Sequence, residues 1–193
     1  GVLVLRSLEG SALATSEVTQ VADGIKVTND LVFNFKDGSR HQETTVFSQR
    51  RPFMLLSYHL VQKGPAFKQS MDLSLNNSTR ETTIRYTDEG KQKTITERKK
   101  LPDDVANGLV TVPLNDIDHN ALKTTVSMVE TTPKPLLVKL VISPGGENTF
   151  SKAGSTRKAT GSVIKVDTGG IGGVIAPIIG KQPLDTHVWM TGG

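Results

Sequence analysis

Side chains able to do chemistry are scattered along this chain rather than gathered in one motif. Ser155 and Lys158 have the serine–lysine spacing of a class of acyl-transferring enzymes, in which the serine opens a helix and the lysine one turn later takes its proton. Here Thr160, Ser162, Ile164 and Val166 follow in strict alternation, which predicts a strand that holds the two side chains apart. The companion Ser-Asp-Asn and Lys-Thr-Gly motifs are absent, as is any Gly-x-Ser-x-Gly elbow. Asp116, Asp118 and Asn120 place oxygen ligands at alternating positions, as a calcium loop does at its start. The glycine and the closing glutamate of such a loop are replaced by Ala121 and Ser127, so a turn with capping side chains fits better.

The four histidines, His41, His59, His119 and His187, lie far apart. No spacing among them suits a transition metal, and surface positions on strands are expected for them. A dispersed hydrolase triad would use His59 with Asp72 or Glu43, brought together only by folding. The run Gly169 to Gly180, GGIGGVIAPIIG, fits neither the dinucleotide nor the P-loop pattern. Bare backbone and apolar side chains there suit a packed crossover or a flap over a cavity. No cofactor and no metal are called for.

The elements that must position these groups are strands. Leu31 to Phe47, LVFNFKDGSRHQETTVF, alternates apolar with polar residues on both sides of Lys36-Asp37-Gly38, which reads as a hairpin. Similar segments recur over Val2–Leu8, Leu13–Val21, Phe53–Gln62, Met71–Leu75, Thr82–Tyr86 and Lys93–Arg98. After Leu101 the period changes. Pro102, Asp103 and Asp104 have the form of a helix's first turn, and Leu101, Val105 and Leu109 would line one stripe. Strands resume over Leu122–Glu130, Leu136–Ile142, Arg157–Val166 and Thr186–Met190, with a loop expected from Pro144-Gly145-Gly146 to Gly154.

The chain has 193 residues, of which 36% are hydrophobic and only 5% aromatic. That composition fits sheets with one solvated face. It carries 23 basic and 19 acidic residues, mixed along the strands except at Arg50-Arg51 and Arg98-Lys99-Lys100. The aromatic–basic interleaving that stacks single-stranded bases is missing, so nucleic acid is not an expected partner. With no cysteine, disulfides and thiolate chemistry are excluded. No apolar run reaches the roughly 18 residues of a spanning helix, and no transmembrane segment is expected. A start at Gly1 rather than Met suggests a processed chain.

The serial meander, the strand Leu55–Gln62, the short helix Leu101–Leu109 and the Gly169–Gly180 segment together resemble bacterial exported proteins of unknown function. The layout is also similar to half-open antiparallel barrels, some of which carry lipids or lipoproteins between membranes. The resemblance implies a periplasmic or secreted location and an apolar passenger. The expected fold is all-β: an antiparallel meander forming a curved sheet or half-open barrel, with one short helix packed in the concavity. A single domain over 1–193 is expected, its strand sets 1–98 and 122–190 joined by a helical segment at 101–112. Phe33, Phe35, Phe47, Leu73 and Leu75 are the expected walls of a ligand hollow, and Ile171, Val174, Ile175 and Ile178 its flap. The expected function is non-enzymatic binding of a lipid or other apolar small molecule. Its alternatives are an envelope module that grips another protein by a strand edge, and the dispersed hydrolase.

Overall fold

The computed structural model describes residues 2–7, 9–50, 54–108, 123–130, 136–152, 154–167 and 185–191. The chain is all-β and antiparallel, with no helix among the described residues. It divides into two compact units, Gly1–Gly108 with Glu130–Leu136 and Leu109–Val129 with Leu137–Gly193.

The first unit is a meander of β1 (Val2–Arg6), β2 (Ala12–Asp23), β3 (Lys26–Phe35), β4 (Arg40–Ser48), β5 (Met54–Lys63), β6 (Met71–Asn76), β7 (Glu81–Asp88) and β8 (Lys91–Arg98). Each strand pairs with the next, and β1 and β8 do not pair with each other, so the curved sheet stays unclosed. Tight turns set the registers. The β7–β8 connection holds Glu89 and Gly90 both at positive φ, the backbone of a two-residue hairpin loop. The β3–β4 turn is pinned by Asp37 Oδ1, which accepts from the Ser39 amide at 2.9 Å. A bulge between Val46 and Phe47 on β4 shifts the pairing with β5 and adds local bend.

Alternation divides the sheet into a polar outer face and an inner face. Val27, Phe47, Leu55, Tyr58, Leu60, Leu73, Leu75 and Ile84 are all buried and share that inner face by register. The segment expected as a helix is not one. From Leu101 to Gly108 the chain makes turns and a single bridge at Val105, with the Val105 amide donating to the Pro102 carbonyl at 3.2 Å. Val105, Ala106 and Asn107 are buried in succession, which no single helical stripe provides. One turn is a costly helix nucleus, and Gly108 at φ +66° stops its growth. The segment nonetheless reaches the inner face, for Gly108 lies against Thr45 and Tyr58. Leu109 and residues 110–112 fall outside the described residues.

The second unit holds β9 (Thr124–Val129), β10 (Leu137–Lys152), β11 (Ser155–Asp167) and β12 (Thr186–Thr191), in the order β12-β11-β10-β9. The expected loop after Pro144 is strand instead: β10 runs through it to Lys152. A bulge between Pro144 and Gly146 absorbs the proline, whose missing donor is tolerated at such a site, and β11 then pairs with β10 along its whole length. Among this unit's described residues, Val126, Val129, Val138, Leu140, Ile142, Ala159 and Ile164 are the buried apolar ones. No helix among the described residues is long and apolar enough to cross a membrane.

Candidate functional site

Register places Val18, Leu31, Glu43, Leu60, Leu73, Ile84 and Ile95 in one row across the inner face from β2 to β8. Glu43 is the single polar member. Its carboxylate is not left bare: Oε1 lies 2.7 Å from Nε2 of His41, two residues back on the same strand and the same face. The buried Tyr58 hydroxyl, on neighbouring β5, donates to the same carboxylate. On the other side of the imidazole, Gln62 Nε2 lies 3.1 Å from His41 Nδ1. An amide nitrogen only donates. With the amide so oriented, Nδ1 accepts and the Nε2–H donates to Glu43. The side chains of His41 and Glu43 keep 17% and 19% of their exposure. Burial pushes the Tyr58 phenol well above its ordinary value, and the Glu43 charge and the bond to it act in the same direction.

Aromatic rings wall this cluster at one end. Phe33 meets His41 edge-on with centroids 6.0 Å apart. Phe67 lies 6.3 Å from His41 and 5.6 Å from Phe35, edge-on to the latter. Phe67 comes from the β5–β6 loop, and the local sequence dictates its arrival. Gly64 takes φ +105°, and a Cβ there would sit 2.6 Å from the Ser39 Cα, so only glycine lets the loop press on the β3–β4 turn. Ser39 Oγ then accepts from the Ala66 amide at 2.8 Å, and the Phe67 amide closes on the Gly64 carbonyl at 3.2 Å.

Both nitrogens of His41 are engaged, so the ring has no lone pair or proton to spare for a substrate without breaking a bond. Glu43 differs. An ionised carboxylate offers about four acceptor sites, and His41 and Tyr58 use two of them. The arrangement suits accepting a hydrogen bond from a ligand more than it suits proton transfer.

The second histidine pair lies on the outer face. His59 Nε2 is 3.1 Å from Asp72 Oδ1, with Arg85 Nη1 at 3.8 Å from the same oxygen. Thr44 and Ser74 stand opposite His59 in register. Thr44 instead donates to Asp30 at 2.6 Å, and no hydroxyl bonds the His59 ring among the described residues. Exposed histidine–carboxylate pairs of this kind are ordinary surface contacts. His187 is exposed on β12, and His119 falls outside the described residues.

No protein-family model, curated protein or solved structure matches the chain. Its site is therefore read from geometry alone.

Of the expected wall residues, Phe33 and Phe35 are half-buried and border the cluster. Phe47, Leu73 and Leu75, at 3%, 0% and 2% exposure, share the face but are packed into the core. Ile171, Val174, Ile175 and Ile178 fall outside the described residues, as do Asp116, Asp118 and Asn120. Ser155 and Lys158 both lie on β11, three positions apart, which in a strand places them on opposite faces. Among the described residues no three of His, Asp and Glu gather as a metal-holding group. The cluster of His41, Glu43, Tyr58 and Gln62 was missed as a unit, although one signal for half of it was present. Counting back by twos from Phe47 puts Thr45, Glu43 and His41 on the inward face of β4.

Proposed function

We propose that this protein is a non-enzymatic, periplasmic or secreted binding protein that holds an apolar molecule against the open end of its first sheet. The molecule would lie over Leu31, Phe33, Phe35 and Phe67, with the Glu43 cluster beneath it. The observation that carries the reading is the inner row, apolar from β2 to β8 except at Glu43. Leu31, Phe33 and Phe35 in its vicinity are only half-buried, whereas Leu60, Leu73 and Ile84 are fully closed off. Apolar surface with a few convergent polar groups is the usual make-up of a small-molecule site. The test compares native mass spectra of the purified protein with spectra of its organic extract. A stoichiometric apolar passenger, depleted in Phe35→Ala, is expected. An empty protein that also fails to enhance the fluorescence of phenylnaphthylamine would sink the proposal.

A second reading has its own observation. The edge strand β1 is apolar, and Val4 and Leu5 on it, with Leu13 on β2, are exposed at 46%, 39% and 42%. The opposite edge, β8, carries Lys91, Lys93, Glu97 and Arg98, the charges that discourage strand pairing. An envelope partner adding a strand would do so at β1. Val4→Lys would abolish such capture and leave passenger binding intact.

A further inference from the structure

We infer that the first sheet docks on an anionic lipid bilayer through its β3–β4 turn and its β5–β6 loop. The inference goes beyond the passenger reading and does not depend on it. Three observations carry it. First, residues 36–40 and 63–70 hold four cations, Lys36, Arg40, Lys63 and Lys68, against one carboxylate, Asp37, and all four cations are exposed. Arg40 and Lys63 stand directly opposite each other in register, and the described partner of Arg40 is the uncharged Gln42, at 3.1 Å. Like charges so placed destabilise a sheet, and anions laid across them relieve the repulsion. Second, the fold holds the two loops together. Ser39 is buried at 2% exposure, its amide and hydroxyl both donate to Asp37, and its Oγ accepts from the Ala66 amide. The carboxylate is thereby taken up within its own turn, and the cations of both loops gather at one end of the sheet. Third, apolar groups stand among the charges. Lys63 and Lys68 bracket Pro65 and Ala66, which are exposed. Leu13, whose carbonyl accepts from the Lys36 amide at 3.0 Å, is exposed at 42%.

A basic surface with small apolar projections fits the interface of an anionic bilayer, where lysines meet phosphates and apolar groups enter the head-group layer. A nucleic-acid duplex offers the phosphates but no apolar layer for Leu13 and Pro65. The other end of the same strands supplies a control for total charge. Lys26 and Arg50 are exposed there, and Lys26 stands about 30 Å from the β3–β4 turn along β3.

The test is co-sedimentation of the full chain with mixed vesicles of phosphatidylcholine and phosphatidylglycerol, with pure phosphatidylcholine vesicles and a DNA duplex alongside. The protein should sediment with the mixed vesicles at low salt and be released at about 0.5 M salt. Each lysine at an anionic surface is worth about fivefold in affinity. Lys63→Gln with Lys68→Gln should therefore weaken binding about 25-fold, and Lys26→Gln with Arg50→Gln by less than about twofold, since that end lies beyond the screening length. Leu13→Ser should weaken vesicle binding by about 3- to 10-fold and leave any binding to the duplex unchanged. Failure to sediment with the mixed vesicles, or equal sedimentation with the neutral ones, would overturn the inference. So would equal losses in the two double variants, a Leu13→Ser protein that binds as the unmodified one does, or tighter binding to the duplex than to the mixed vesicles. Each of these results leaves the passenger reading standing. The contrast between anionic and neutral vesicles is read in the unmodified chain, so it decides the matter even where a variant fails to fold.

Discussion

Gly108→Ala is the substitution that the structure constrains most tightly. Gly108 sits at φ +66°, and a Cβ there would overlap Thr45 Oγ1 and come within 3.1 Å of the Tyr58 ring. Thr45 is fully buried, and its hydroxyl has no hydrogen-bond partner among the described residues, so the side chain has no solvent to move into. Left-handed backbone costs alanine about 1 kcal/mol, and overpacking a closed site adds about 1–3 kcal/mol. The smaller entropy of the unfolded alanine chain returns about 0.5 kcal/mol. The net loss expected is about 1.5–3.5 kcal/mol, or roughly 6–14 °C in Tm for a unit near 100 residues. Urea unfolding followed by far-UV circular dichroism measures it. Adding Thr45→Ala removes the overlap but not the backbone strain. The double-mutant cycle should therefore return a favourable coupling of about 1–2 kcal/mol. A loss under about 0.5 kcal/mol, within the range of an unremarkable surface change, would refute the claim that residues 101–108 are seated on the inner face. A coupling of zero would refute the contact with Thr45.

Burial holds the Glu130 carboxyl above its ordinary value. A raised folded value means that the folded chain binds the proton more tightly, so the stabilising contribution is complete below the unfolded value and is lost as pH rises through the folded one. Glu130→Gln should accordingly be the more stable protein at neutral pH, with the advantage fading as pH falls through the raised folded value and gone below about pH 4; an equal gain at all pH values would contradict the assignment. Tyr58 is raised for the same principal reason, and the same sign applies: stability should fall as pH climbs past about 10, and Tyr58→Phe should flatten that fall while losing about 1–2 kcal/mol at neutral pH from the missing bond to Glu43. In the second unit Gly161 faces Trp189 across β11 and β12, and a Cβ would lie 2.5 Å from the indole. Gly161→Ala should displace that ring, shift the emission of the chain's single tryptophan to the red, and cost about 1–2 kcal/mol; an unmoved spectrum would show that the ring does not rest against Gly161.

Legibility differed sharply between elements. The hairpin over Leu31–Phe47 could be read from residues alone because alternation and a glycine turn are local properties. Leu101–Gly108 misled for a matching reason. Its helical spacing and its proline–aspartate opening are also local, but burial of Val105, Ala106 and Asn107 in succession satisfies contacts made with the sheet, and tertiary packing overrides a weak local preference. The strand through Pro144, Gly145 and Gly146 was hidden similarly. Proline and glycine signal a loop unless a partner strand, here β11, supplies pairing on both sides of a bulge.

By itself the sequence determined the strand class, the turns and the inward parity of His41 and Glu43 with Phe47, because side chains on a strand alternate with a period of two. Only the tertiary structure decided what those two residues meet. Gln62 reaches His41 across 21 positions of sequence, and Tyr58 reaches Glu43 from the next strand. Such meetings depend on the register between strands and on the Val46/Phe47 bulge that shifts it. The tertiary structure also sorted the apolar residues of one face, closing Leu73 and Ile84 into the core while leaving Phe33 and Phe35 half-exposed. Alternation is a property of one strand and carries no information about what lies above it. Coverage comes from segments distant in the chain.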